Sequence, residues 1–291
     1  MHTVSKISAA ALLLVASVAS QAADWSDTSI GYRFGNKYAE PFNTNDVKKN
    51  IFNLNHASGY KYGSNFFNAD LLLSDEKDPS AFGSTDGAQE VYIVYRHTLD
   101  LAKIGGPALK FPGVRGSGIT LGFDANTKTD VGYNSKKRML VAGPTLFMDV
   151  PGFLNVSVLL LDESNQPSGT TFSTTPSSRF SVSRYRYKTH AMLTAAWGIP
   201  LSKTVPVSFE GFMNFIGSKG VNEFGGATKP ETNIDAQVML DVGALAGGAK
   251  GTFKVGIEYQ YWKNKFGNPA SGPAGKGAFA KTPMLRAEYH F

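Results

Sequence analysis

From about residue 28 to the C-terminus, apolar and polar side chains alternate in segments of roughly ten residues. In the terminal stretch 281–291, Leu285, Ala287, Tyr289 and Phe291 fall on one side, and Met284, Arg286, Glu288 and His290 on the other. A period of two is the strand period, in which successive side chains point to opposite faces. A strand with aromatics on one face and an Arg-Glu-His row on the other suits a sheet wetted by lipid outside and water inside. Such a strand cannot be a free edge in hydrocarbon, where each unsatisfied backbone group costs several kcal/mol, so it is expected to pair with the first strand.

The same alternation predicts about twelve strands, at 28–35, 50–62, 65–74, 90–99, 118–125, 138–148, 154–162, 184–197, 207–216, 232–240, 252–262 and 281–291. Polar loops follow the odd segments and shorter turns the even ones. The expected architecture is a transmembrane antiparallel β-barrel with short periplasmic turns, long extracellular loops and both termini periplasmic. One segment resists: in 50–62 the parity of Phe52, Leu54, Tyr60 and Tyr62 also carries His56 and Ser58. A bulge near Gly59 that switches parity is the expected resolution.

Twelve strands lie between the eight of filled barrels and the sixteen to eighteen of wide porins, so the lumen suits one small solute. Luminal parity takes in Arg33, Asp70, Glu90, Arg96, Asp124, Glu210, Asp235, Lys254, Glu258, Arg286 and Glu288, most of which should pair across strands. Arg184, Arg186 and Lys188 share that parity at spacings of ~6.7 Å, inside a Debye length of ~8 Å. They are expected to form a cation ladder that draws anionic or electron-rich solutes. Four rings, Phe66, Tyr92, Phe212 and Trp262, also have luminal parity. Rings facing water gain from something that stacks on them, such as a base or sugar, or from inward-folded loops. The candidate solute-lining set is these four rings with Arg184, Arg186, Lys188, Asp124, Glu258, Arg286 and Glu288; Leu285, Tyr289 and Phe291 are the candidate barrel-closure and assembly signal.

The N-terminus changes the picture of where this barrel belongs. Lys6, the apolar run 7–19 and the small residues Ser20 and Ala22 read as a signal peptide over 1–22, cleaved after Ala22, with the barrel domain at 23–291. No later run reaches the ~20 apolar residues of a spanning helix. The chain has no cysteine, so no disulfide supports it. A formal charge of +6, spread without a Lys/Arg block, gives no footprint for polymeric nucleic acid. His56, His97, His190 and His290 lack a nucleophile motif, no G-x-S-x-G occurs, and metal-ligand spacing is absent. Neither an enzyme nor a cofactor is expected.

The stretches 56–70 (HASGYKYGSNFFNAD), 99–105 (LDLAKIG) and 149–153 (DVPGF), with the Phe-terminated last strand, resemble the nucleoside-specific channel-forming (Tsx-like) outer-membrane proteins. The likeness runs over nearly the whole mature chain. It implies an outer-membrane channel for passive diffusion of nucleosides or similar small polar solutes, with loops that serve as phage receptors in some members. The partners then expected are outer-membrane lipid and lipopolysaccharide, the barrel-assembly machinery and a small polar solute. The alternative is a surface-loop interaction protein, a phage or partner receptor whose pore is incidental or closed.

Overall fold

Alternating β-branched, aromatic and small residues between Gly-, Pro- and Asn-rich turns give long antiparallel staves. In the computed structural model, which describes residues 23–107, 109–171 and 178–291, twelve staves close on themselves. They are β1 (Ala23–Tyr38), β2 (Val47–Tyr60), β3 (Gly63–Ser74), β4 (Gln89–Asp100), β5 (Val114–Lys128) and β6 (Arg138–Met148). There follow β7 (Phe153–Asn165), β8 in two pieces (Tyr185–Arg186 and His190–Pro200), β9 (Val207–Ile216), β10 (Glu231–Asp241), β11 (Phe253–Lys263) and β12 (Phe279–His290). Each pairs with its sequence neighbours, and β12 returns to β1 through Ser29 opposite His290, Arg33 opposite Arg286 and Phe34 opposite Leu285. Closure pairs every full-length stave on both sides, so the described wall has no open edge.

The two faces divide opposite to those of a water-soluble protein. Leu160 on β7 is 61% exposed and Ile257 on β11 is 65% exposed, whereas Glu258 beside it is 3% exposed. Leu285, Tyr289, Leu140, Leu121, Leu193 and Ile30 also lie outside and exposed. Exposed large apolar side chains in a continuous band, with the charges inside, are what a hydrocarbon-wetted wall requires. Rings cluster on the outside near the short-turn end, where Tyr60 and Tyr62, Trp197 and Phe209, and Tyr289 and Phe291 pair at centroid distances of 6.2, 5.4 and 5.4 Å.

Both ends of the described barrel, at Ala23 and His290, lie with the turns that follow the even staves. Residues 61–62 and 149–152 make tight turns there, while 217–230 is a long loop at the other end, where a short ladder also joins Ser168–Thr171 to Ser178–Ser181. The alternation is not strict: 101–113 and 242–252 are longer than the loop 39–46. The expected leader 1–22 lies outside the described residues.

Two expectations about facing are corrected. The β2–β3 register runs without a shift from Lys49 opposite Ser74 to Tyr60 opposite Gly63, and the irregularity beside Gly59 lies in the facing β1, between Ala23 and Trp25, so β2 itself does not switch parity. His56 therefore keeps the outer face of Leu54 and Phe67, close to the short-turn end rather than at mid-depth, and its imidazole hydrogen-bonds Thr28 Oγ1 at 2.8 Å. A local hydroxyl partner at the polar rim replaces the parity switch.

The second correction concerns β8. Arg186 pairs with Ser164 but His190 pairs with Leu161, so one extra residue is accommodated between the two pieces of the stave. A one-residue bulge exchanges the faces. Arg184 and Arg186 consequently lie outside, on the face of Ser164 and Asp162, and Lys188 is exposed within the bulge. Tyr187, expected to face lipid, is instead buried toward the interior. The luminal cation ladder does not form.

Candidate solute passage

Inside the barrel, period two brings charged residues from staves far apart in sequence into one ring. Arg33 on β1 reaches Asp70 on β3 at 2.5 Å and Glu258 on β11 at 3.3 Å. Arg286 on β12 meets Glu258 at 2.7 Å and Glu288 at 2.5 Å. Across the lumen Arg96 on β4 binds Asp124 on β5 at 2.5 Å, and the Tyr92 hydroxyl donates to the same carboxylate at 3.0 Å. Glu258, Asp235, Asp124 and Glu288 are all buried, so these carboxylates face each other and the guanidiniums rather than a wide water column.

Toward the long-loop end the interior is closed by the loops themselves. Glu40, in the loop after β1, accepts from Lys49 at 2.7 Å, Lys128 at 3.3 Å and Lys265 at 3.2 Å. Asp78, from the loop after β3, takes Lys128 at 3.0 Å, and Asp130 takes it at 3.1 Å. Lys265 also donates to the Ala39 carbonyl at 2.7 Å, and Phe42 N–H donates to Ala274 O at 3.1 Å. Gly277 packs so closely on the Glu40 carbonyl that a Cβ there would overlap it. Two loops and two stave ends are thus tied to one carboxylate. A second cluster sits beside it, with Glu163 held by Lys219 at 2.9 Å and Lys137 at 3.8 Å.

Burial alone would raise the Glu40 carboxyl, but the three ammoniums around it hold it well below the usual carboxylate range. Burial lowers the Lys265 ammonium, and Glu40 restores only part of that. Asp130 goes the other way: burial and its contact with Asp78 push it up to about 6 against the pull of Lys128.

The four luminal rings divide into two pairs. Trp262 donates from its indole N–H to Glu231 at 3.1 Å and is covered by Phe266 at a centroid distance of 4.7 Å. Tyr92 is fixed by Asp124, with the Lys137 ammonium 5.9 Å from its ring. Phe66 and Phe212 point inward and stay open, 42% and 37% exposed. They stand on β3 and β9, half a turn apart in a ring of twelve, so they face each other across the lumen, Phe66 near the short-turn end and Phe212 at mid-stave. The interior is therefore asymmetric, open beside these rings and tightly packed at the long-loop mouth. Leu285, Tyr289 and Phe291 lie on the outer face of the closing strand or just past it.

The mouth cluster was not readable beforehand. Glu40, Asp78 and Lys265 sit in stretches whose composition says only polar loop, and no spacing links them. The remaining histidines are tied locally: His97 to Asn65 at 2.7 Å and Tyr60 at 3.0 Å, His190 to the Lys188 carbonyl at 3.0 Å, and His290 to Asp27 at 2.9 Å.

No family profile matches the chain, and no characterised protein matches it in sequence. Among solved structures, the KdgM porin aligns with 90% of this chain and 99% of its own at 10% identity and a TM-score of 0.41. The translocator domain of autotransporter NalP from Neisseria meningitidis aligns with 98% of this chain and 95% of its own, at 11% identity and a TM-score of 0.44. The NanC porin aligns with 92% and 99%, at 10% identity and a TM-score of 0.37. The barrel assignment stands on the strand pairing of this chain itself.

Proposed function

We propose that this protein is an outer-membrane channel for passive diffusion of small polar solutes, delivered by a cleaved leader and folded by the barrel-assembly machinery. The short turns and both termini lie in the periplasm and the long loops outside. The observation that carries this reading is the inversion of faces: a closed wall with exposed Leu, Ile and Tyr outside and paired Arg, Asp and Glu inside. Water-soluble barrels bury their apolar residues, whereas a membrane barrel turns them to lipid and keeps its polar residues inside.

Nucleosides are the finer assignment. Phe66 and Phe212 offer two open rings on opposite walls, and a heterocyclic base is sequence-tolerant in stacking on either. Arg96, in register with Phe66, and Asp235, in register with Phe212, supply a donor and an acceptor for a sugar. Protein reconstituted in planar bilayers should conduct ions, and added adenosine or thymidine should reduce the current. Phe66→Ala with Phe212→Ala should weaken that block about fivefold, from about 1 kcal/mol of stacking lost. Current indifferent to every nucleoside would remove the assignment while leaving the channel.

A second reading has its own observation: the first and last long loops are locked over the mouth by Glu40. A receptor whose loops bind a partner would need that rigid crown and no traffic. Absence of measurable conductance from inserted protein, with partner or phage binding lost on loop deletion, would favour it. The loop 166–184 is the first to delete, although residues 172–177 lie outside the described part.

A further inference from the structure

The outer wall carries a basic site that solute passage does not use. Arg138 opens β6 and pairs in register with Ser164 of β7, which pairs in turn with Arg186 of β8. Three adjacent staves thus place one transverse row on the outer face. Arg184 reaches the same point, its Nη1 3.1 Å from Ser164 Oγ. Arg186 grips Asp162 with two bonds, Nε at 2.7 Å and Nη2 at 2.5 Å. Among the described residues, Arg138 and Arg184 have no carboxylate partner, so three guanidiniums face one carboxylate. A groove of about 430 Å³ opens at this row, its walls including Arg138, Asp162, Ser164, Arg186, Phe123 and Leu140. Directly toward the barrel middle the outer face turns apolar, with Leu140 and Leu160 both more than half exposed.

Each half of this arrangement constrains the ligand. Guanidinium forks match the oxygens of phosphate and bind it bidentately. A free anion would gain nothing from the exposed leucines below, and a neutral hydrocarbon chain would have no cause to stop at the arginines. A zwitterionic headgroup brings its own ammonium, which offsets the pull. We propose that Arg138, Arg184 and Arg186 bind the phosphate-bearing headgroup of a net-anionic, multiply acylated lipid in the leaflet around the long-loop end, with its chains along Leu140 and Leu160. The site rests on the membrane assignment above. It also gives a use to the β8 bulge, which turns two of the three arginines outward.

The test uses the full mature protein refolded into phosphatidylcholine vesicles, plain or doped with bis-phosphorylated lipid A or with dephosphorylated lipid A. The heat-modifiable shift of the folded band on gels reports the unfolding temperature. Bis-phosphorylated lipid A is expected to raise that temperature by several degrees, and dephosphorylated lipid A to leave it unchanged. Arg138→Gln with Arg184→Gln should remove the difference while the plain-vesicle value stays the same; neither side chain is buried. A rise that persists in the double variant, a rise equalled by inorganic phosphate in plain vesicles, or no rise at all would overturn the site. Failure to insert into any vesicle would instead sink the membrane assignment and the site with it, and is read separately from protease protection of the inserted band.

Discussion

Glu40 shows how a single side chain can hold a mouth shut. Three ammoniums converge on its carboxylate, and each comes from a different part of the chain. Removing one partner of a buried ionic cluster leaves uncompensated charge and costs about 3–5 kcal/mol. Glu40→Gln is therefore expected to lower the unfolding temperature and raise single-channel conductance, since loops 39–46 and 264–278 lose their common anchor. A variant with unchanged conductance and stability would show that the lock is held elsewhere. Asp130 gives the same cluster a pH signature. Its carboxyl titrates near 6 when folded and near its ordinary 3.8 when unfolded, so the folded protein takes up this proton first as acid is added. Its contribution to stability therefore grows as pH falls from 7 to 5, by on the order of 1 kcal/mol. Glu40 and Asp78 are held low, so their loss of stability begins only below their unfolded values of 4.5 and 3.8. Urea unfolding at pH 7 and pH 5 should show a smaller acid gain for Asp130→Asn than for the unchanged protein.

At the scale of elements, alternation told most of the story and failed where one residue was added. Staves β1, β3, β4, β11 and β12 keep a single parity through their membrane stretch, so Arg33, Asp70, Tyr92, Glu258, Arg286 and Glu288 face inward as period two requires. The run from Arg184 to His190 has the same apparent rhythm, and nothing in its composition marks the bulge that splits it. Such a bulge is fixed by tertiary partners, here Tyr187 donating to Glu223 at 2.6 Å and to the Glu163 carbonyl through its own N–H at 2.9 Å. Sequence rhythm cannot report a contact between distant loops. The absence of native cysteine makes the inversion directly measurable. In refolded protein, Arg184→Cys is expected to react readily with a water-soluble maleimide and Tyr187→Cys to be protected. The reverse order of reactivity would restore the uniform parity of the sequence.

For the whole molecule, the division between an open lower lumen and a packed mouth sets the resting behaviour. A twelve-stave wall has room for a solute, but its long-loop end is occupied by buried loop residues such as Ala278, Glu40 and Asp78. Resting conductance is expected to be small. Gly277→Ala should increase it, because the added methyl overlaps the Glu40 carbonyl and forces the first and last long loops apart. The same conductance in that variant would mean that the loops already move freely.

The pairing of β12 with β1 has a consequence for biogenesis. The first stave finds its second neighbour only when the final thirteen residues have been made, and the Arg33 guanidinium gains Glu258 only from the far end of the sequence. No shorter product is a finished object. The wall stays open until β12 exists, so a chain that stops a single strand early is expected to leave β1 and β11 unpaired on one side and to form no smaller pore.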